Sequence, residues 1–279
     1  MNLLFSINKK YSSLLLTCMQ SIANHGGYDQ YVAYILHSDL SEQDQSSILM
    51  LMPTCFSCCF IYVDDEFFHG FPESNRYPVQ IYYRLAAAQL LPQHIDRILY
   101  LDVDTIVINS LKELYTEPFR EYLFMACTHT DAFLTRMNQY RLGTKKGVPY
   151  INTGVMLMNL TGMRKEIRIA DIRNYAMKNK ASLILPDQDI LTALYGERVK
   201  LIDTMKYNLS DREITLNNAD PRNPKVDQSW VQENAVIIHY YGSNRPWNPN
   251  YKGILGDLYL EAAKDVYEGK QSNGERMED

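Results

Sequence analysis

The run Arg97-Ile98-Leu99-Tyr100-Leu101-Asp102-Val103-Asp104-Thr105-Ile106-Val107 constrains this chain more than any other stretch. It is apolar enough for a buried strand, yet two carboxylates are set into it one residue apart. Taking a carboxylate out of water is costly unless something pairs with it. In a strand, residues i and i+2 share a face, so Asp102 and Asp104 are expected to converge on one point while Val103 faces away. Two like charges that converge call for a cation, and oxygen ligands suit Mg²⁺ or Mn²⁺. The bland alternative is a loop or turn triplet with no metal. Downstream, Ser110 and Glu113 have the spacing of a capping box that opens a short helix. Strand, carboxylates at its C-terminal end, then helix is the order in which open α/β sheets place their ligands.

Strands and helices alternate through the first half. Strands are expected over 3–7, 31–36 and 57–63. A helix over 11–25 is stopped by Gly26-Gly27, and another runs from Ser41 to Pro53. This pattern predicts an α/β fold with a mostly parallel sheet. A loop spans 71–78, and a helix begins at Ile81 and is closed by Pro92. Arg84 lies among apolar neighbours, where snorkelling is the favoured reading over binding an anion. A strand over 123–127 follows the Asp-x-Asp segment. Residues 131–148 show no clear period and read as a mobile loop or short helices beside a cleft. Further expectations are a strand over 150–159, one long amphipathic helix over 164–181, and a helix starting at Leu185-Pro186. Asp187 and Asp189 read there as an N-cap and a first-turn charge. A strand over 235–242 contains His239, which by itself reads as a hydrogen-bonded core residue. A helix over 251–267 closes the chain, and a charged, disordered tail is expected from Glu268.

Composition narrows the function classes. A net charge of −5 argues against nucleic acid as a partner. No apolar run approaches the roughly 18 residues of a membrane span. No secretory signal is visible in Met1-Asn2-Leu3-Leu4-Phe5-Ser6-Ile7-Asn8-Lys9-Lys10. Five cysteines, three of them at Cys55, Cys58 and Cys59, point to reduced thiols buried in a strand rather than to zinc. The expected location is the cytoplasm, with peripheral contact at the inner face of the membrane left open.

Four segments in order carry a resemblance: the strand and loop ending at Tyr11; Leu99-Tyr100-Leu101-Asp102-Val103-Asp104; Asn152-Thr153-Gly154 with Asp187-Gln188-Asp189; and His239-Tyr240-Tyr241-Gly242-Ser243-Asn244-Arg245-Pro246-Trp247. Together they span nearly the whole chain. It resembles the family 8 glycosyltransferases, retaining enzymes that include bacterial lipopolysaccharide galactosyl- and glucosyltransferases and relatives of glycogenin. The resemblance implies a GT-A fold: a Rossmann-like, mostly parallel sheet with helices on both faces and a short antiparallel addition. It implies one domain over 1–268, with a nucleotide-binding half to about 110, an acceptor half after it, and a polar tail over 269–279.

The resemblance further implies a metal-dependent hexosyltransferase that takes glucose or galactose from UDP-glucose or UDP-galactose to a glycan or lipid-linked saccharide. Asp102, Asp104 and His239 would bind Mn²⁺, or Mg²⁺. Asn8, Lys10, Tyr11, Val103, Gly242 and Arg245 would contact the nucleotide; Arg84, Asn152, Thr153, Asp187 and Gln188 would hold the donor sugar. Gln188, with Asp187 beside it, would be the catalytic position beneath the anomeric carbon. Relatives usually read Asp-Asp-Asn-Tyr where this chain has Asn8-Lys9-Lys10-Tyr11, and most have lysine at the position of Arg245. The first departure motivates an alternative, a catalytically silent nucleotide-sugar binder or scaffold subunit. A phosphatase of the haloacid-dehalogenase type is disfavoured: it needs threonine two residues past the second aspartate, and Ile106 stands there.

Overall fold

Among the described residues the apolar runs pair edge to edge into nine strands: β1 (Asn2–Ser6), β2 (Tyr31–His37), β3 (Phe56–Tyr62), β4 (Arg97–Leu101), β5 (Thr105–Val107), β6 (Phe124–Ala126), β7 (Val155–Asn159), β8 (Val199–Leu201) and β9 (Ile237–His239). The structure is a computed structural model and describes residues 1–74 and 77–274. Seven strands form one sheet in the order β3-β2-β1-β4-β7-β6-β8; β5 and β9 form a small second sheet. β7 runs antiparallel to both of its neighbours, the other pairs of the large sheet are parallel, and β5–β9 is antiparallel. The expected mostly parallel sheet with a short antiparallel addition is present.

Strand alternation sorts the core into two layers. Leu3, Phe5, Leu99 and Leu101 join one layer with the helix Ser12–His25 and residues Tyr259, Ala262 and Val266 of the helix Gly256–Gly274. Leu4, Ile98 and Tyr100 join the other, beneath the helices Leu160–Glu166, Ile169–Lys178 and Pro186–Tyr195. Helices therefore cover both faces, as a parallel sheet requires.

Several expectations change. The segment 97–107 is two strands, not one: β4 stops at Leu101, and the chain turns through Asp102-Val103-Asp104 before β5 begins in the other sheet. Thr105 closes the turn, its N–H and Oγ1 both donating to Asp102 O at 3.2 and 2.7 Å. The carboxylates thus converge by a turn rather than by strand alternation. Ser110 and Glu113 make no capping box. Ser110 Oγ accepts from Lys112 N at 3.3 Å, while Glu113 pairs with Lys206 Nζ at 2.6 Å. A capping box does form at Ser41 and Asp44. The helix expected over 164–181 breaks at Ile167, which is extended and buried, with its carbonyl accepting from Gln89 Nε2 at 3.0 Å.

Residues 131–148 contain a well-capped helix, Ala132–Leu142. Asp131 accepts from Leu134 N at its start, and Gly143 closes it at φ 66°. The helix from Ile81 is a 3₁₀ segment, Val79–Ala86, followed by Ala87–Leu90. Residues 150–154 form a loop ahead of β7, and β9 is shorter than the strand expected over 235–242. The loop read over 71–78 holds where described, residues 75–76 lying outside the described residues. The closing helix runs to Gly274, past the expected start of the tail, and 275–279 lie outside the described residues. Cys55, Cys58 and Cys59 are half-buried, the last two on the edge strand β3 and none fully inside.

Candidate active site

β4 ends in the middle of the sheet, beside the loop that leads into β7, so Asp102 and Asp104 emerge where the strand direction changes. β9 brings His239 opposite Thr105. Asp102, Asp104 and His239 each offer a ligand atom, all within 4.8 Å of one another. His239 Nε2 stands 3.1 Å from Asp104 Oδ1 and 3.8 Å from Asp102 Oδ2; its Nδ1 is 2.8 Å from Asn208 Oδ1. Gly154 presses against this trio. A Cβ there would collide with the His239 ring and stand 2.8 Å from Asp102 Oδ2. Two carboxylates and one imidazole, gathered so closely and backed by a glycine, fit a divalent ion of the Mn²⁺ or Mg²⁺ kind. Burial works to raise the pKa of Asp104, but His239 and Arg245 outweigh it and the carboxyl is held below its usual range. Arg245 Nη2 is 3.8 Å from Asp104 Oδ2, and its Nε donates to Gly242 O at 2.8 Å. Gly242 takes φ 92°, a conformation that suits glycine.

Behind Asp102 lies a buried charge cluster. Arg84 is 6% exposed, and its Nη2 is 2.9 Å from Asp102 Oδ1. Its Nη1 donates to Thr153 O at 3.0 Å and lies 3.5 Å from Asp187 Oδ2. Thr153 Oγ1 donates to Asp187 Oδ2 at 2.6 Å, and Tyr100 OH donates to Asp102 Oδ1 at 2.6 Å. The snorkelling reading of Arg84 is therefore wrong: the side chain is sealed in with its two terminal nitrogens against two carboxylates and Thr153, while its Nε is buried without a partner. Arg84 sits nearer Asp102, so at Asp187 burial wins and holds that carboxyl above its usual range against the pull of Arg84 and Thr153. Asp187 is no N-cap. It stands in the first turn after Pro186, with its side chain turned inward.

Asp102, Asp104, His239 and Arg245 border a cavity of about 1280 Å³. Its far side carries Leu134, Asn138 and Arg141 from the helix Ala132–Leu142. That helix is tied down by Asp189, which is fully buried. Asp189 pairs with Arg141 Nη2 at 2.6 Å and accepts from Tyr150 OH at 2.8 Å and from Ile184 N at 2.7 Å. A second cluster stands along the same cavity: His129 Nδ1 lies 2.7 Å from Tyr241 OH, which donates to Glu213 Oε1 at 3.2 Å. Burial pushes the Tyr241 hydroxyl up to about 12.

Of the residues expected at the site, Asp102, Asp104, Asn152, Gln188, His239, Gly242 and Arg245 line this cavity. Arg84, Thr153 and Asp187 form the buried cluster behind it. Asn8, Lys10, Tyr11 and Val103 are not among its lining. Asn8 caps its own turn by accepting from Lys10 N at 3.1 Å, and Lys9 pairs with Asp44 at 2.9 Å. Sequence reasoning missed Asn208, Arg141, His129, Glu213 and the pairing of Asp189. Each is a polar residue with a partner at least 28 positions away, so no local spacing marks it.

The family model for glycosyl transferase family 8 matches residues 2–250. A lipopolysaccharide 1,2-glucosyltransferase of Escherichia coli is 26% identical over 254 residues, which cover 88% of this chain and 73% of that protein. A lipopolysaccharide 1,3-galactosyltransferase of Salmonella typhimurium is 22% identical, covering 94% and 77%. The crystal structure of the galactosyltransferase LgtC with donor and acceptor sugar analogs superposes with a TM-score of 0.81 at 23% identity, over 95% of this chain and 96% of that one. The fold is thus the GT-A arrangement of that enzyme. No helix of the described residues is long and apolar enough to cross a membrane. With the family model matching residues 2–250 and the Asp-x-Asp turn gathered against its histidine at the edge of the cavity, the chain belongs to glycosyl transferase family 8.

Proposed function

We propose that this chain moves a glucosyl or galactosyl unit, with retention, from a UDP-sugar to a glycan or lipid-linked saccharide. The observation that carries the reading is the gathering of Asp102, Asp104 and His239 within 4.8 Å at the edge of the cavity. Relatives named for glucosyl and galactosyl transfer support the choice of hexose. Asp102, Asp104 and His239 would hold Mn²⁺ or Mg²⁺, which as a Lewis acid offsets charge on a departing diphosphate. Arg245, beside Asp104, adds a second cation on the phosphate side. Gly242 presents backbone with no side chain in the way. Asn8, Lys10, Tyr11 and Val103 remain assigned to the nucleotide by their place in the family motifs.

On the sugar side, Arg84 and Thr153 fix Asp187, and Asn152 and Gln188 face the cavity. Gln188 is an amide and a poor nucleophile. Retention here uses no stable enzyme–sugar bond: as the sugar–phosphate bond breaks, the acceptor hydroxyl attacks from the side the diphosphate leaves and passes its proton to the departing phosphate oxygen, and Gln188 steadies the positive sugar carbon from below.

A screen of UDP-sugars for slow hydrolysis with Mn²⁺ tests this without any acceptor. UDP release from UDP-glucose or UDP-galactose, lost with chelator, is the expected result. Tight Mn²⁺-dependent binding with no release across an acceptor panel would favour the silent binder instead. Replacing Arg245 by alanine should weaken UDP more than uridine; equal losses would remove Arg245 from the phosphates.

A further inference from the structure

We infer that Asn208 is a positioning residue that fixes the tautomer of His239, through a chain of side-chain amides anchored on a backbone N–H. The inference rests on the metal reading above, but it concerns a residue outside the ligand set. The chain starts at Gly154. Its N–H can only donate, and it meets Asn152 Oδ1 at 2.9 Å, which fixes the way the Asn152 amide points. The same oxygen faces Asn208 at 2.9 Å, so Asn208 presents its Nδ2 there. The other end of the Asn208 amide, Oδ1, then faces His239 Nδ1 at 2.8 Å. A carbonyl oxygen only accepts, so the imidazole hydrogen sits on Nδ1. Nε2 is left to turn its lone pair toward Asp104 and Asp102. A histidine that ligates a metal through Nε2 needs this tautomer, and such ligands are commonly held by an acceptor on their other nitrogen.

Burial keeps water from the amide chain, and the competing acceptor for the imidazole hydrogen is Asp104 Oδ1, 3.1 Å from Nε2, which a bound divalent ion would engage instead. Asn208 is 0% exposed and His239 2%, so water has little room to replace either contact. The backbone holds Asn208 in place. Leu209 N donates to Ile237 O at 3.0 Å, and His239 N donates to Leu209 O at 2.8 Å, so residues 208–209 are pinned alongside β9. Gly154 serves twice: its N–H orients the amides, and its missing side chain leaves room for the ring they orient.

The test uses the full chain with UDP and measures Mn²⁺ affinity by electron paramagnetic resonance. Asn208→Leu, close in size, should weaken Mn²⁺ about 10- to 100-fold, the usual loss when a partner of a metal ligand is removed. Asn208→Asp, which keeps an acceptor toward Nδ1, should restore most of that affinity. A role in packing alone would not rank the two variants this way. Imidazole nitrogen NMR on metal-free, histidine-labelled protein at alkaline pH reads the tautomer directly. His239 should carry its hydrogen on Nδ1 in the wild type and lose that preference in Asn208→Leu. A folded Asn208→Leu that binds Mn²⁺ as tightly as wild type overturns the inference, as does wild-type His239 with its hydrogen on Nε2. If Asn208→Leu does not fold, the wild-type spectrum decides. A wild type that takes no Mn²⁺ would instead overturn the metal reading, and the spectrum would still judge Asn208.

Discussion

The cavity has two unlike sides. On one, Asp102, Asp104, His239, Asn208, Arg84 and Asp187 are packed into the ends of the sheet, and, Arg84 Nε aside, each charged or polar atom named above has a specific partner. On the other, the helix Ala132–Leu142 lends Leu134, Asn138 and Arg141 to the lining and turns Phe133, Met137 and Tyr140 outward beside it, with Tyr140 93% exposed. This helix is anchored by Arg141 on Asp189 and by Gln139, which donates to Val148 O at 2.8 Å. The contrast is physical before it is functional. A buried charge is tolerated only with its partners in place, so the sheet side has one allowed arrangement. An exposed apolar side chain has no such obligation, so the helix side can vary in sequence at little cost in stability. In the proposed reaction the fixed side holds the donor and the variable side faces the acceptor.

The sharpest way to break this contrast is Arg84→Met. It leaves Asp187 buried and Asp102 half-buried without their shared cation, and removing one partner of a buried pair costs about 3–5 kcal/mol. A chain of this size should then lose on the order of 10 °C in Tm. A thermal scan showing a drop no larger than that of a surface substitution would mean the sheet side is not fixed by charge pairing. Asp104→Asn comes next. It keeps the backbone bond from Tyr240 N to Asp104 O and so should leave the fold intact. Mn²⁺-dependent UDP binding should fall on the order of 100-fold, about 2.7 kcal/mol. Calorimetry with and without chelator reads it, and an affinity unchanged in both would take Asp104 out of the site.

The same contrast explains what the sequence made legible. Asp102 and Asp104 stood out because charge interrupts an apolar run, and the sheet was readable from strands alternating with helices. The helix Ala132–Leu142 was not readable. Its apolar residues, Phe133, Met137 and Tyr140, have helical spacing but lie on the outer face, so the pattern of a core-facing helix never appears. Arg84 looked like a snorkelling residue because its carboxylate partners are 18 and 103 residues away, in Asp102 and Asp187. Asn208 gave no signal, since an amide between a tyrosine and a leucine is ordinary until β9 is folded against it. Even the correct expectation for Asp102 and Asp104 had the wrong cause. A turn closed by Thr105 brings them together, and turn closure is not visible in an apolar–polar pattern.

Asp189→Asn probes the anchor between the two sides. The amide keeps the shape but cannot fully replace a carboxylate that accepts from Arg141, Tyr150 and the N–H groups of Ile184 and Leu185. A loss of about 2 kcal/mol in urea unfolding is expected, the scale of a charged hydrogen bond left incomplete in a buried place. Because the anchor joins the helix Ala132–Leu142 to the helix that carries Gln188, acceptor-dependent transfer should fall further than donor hydrolysis. Equal losses would mean that the donor side leans on the anchor as much as the acceptor side does; no loss of either activity would mean that the two helices are positioned independently.

The smallest effect on stability should come from the outer face, and it is the most informative about which side does what. Phe133→Ser and Tyr140→Ser remove exposed rings that bury little, so unfolding free energy should change by less than about 0.5 kcal/mol for each. If the helix side faces only the acceptor, donor hydrolysis should also stay at the wild-type rate, because neither residue touches the sheet-end cluster. Transfer to a saccharide acceptor is then the one activity free to change. A shift in donor hydrolysis with stability unaltered would mean that the two sides are coupled through Arg141 and Asp189. The fixed and variable sides would then be parts of one moving unit rather than two independent walls.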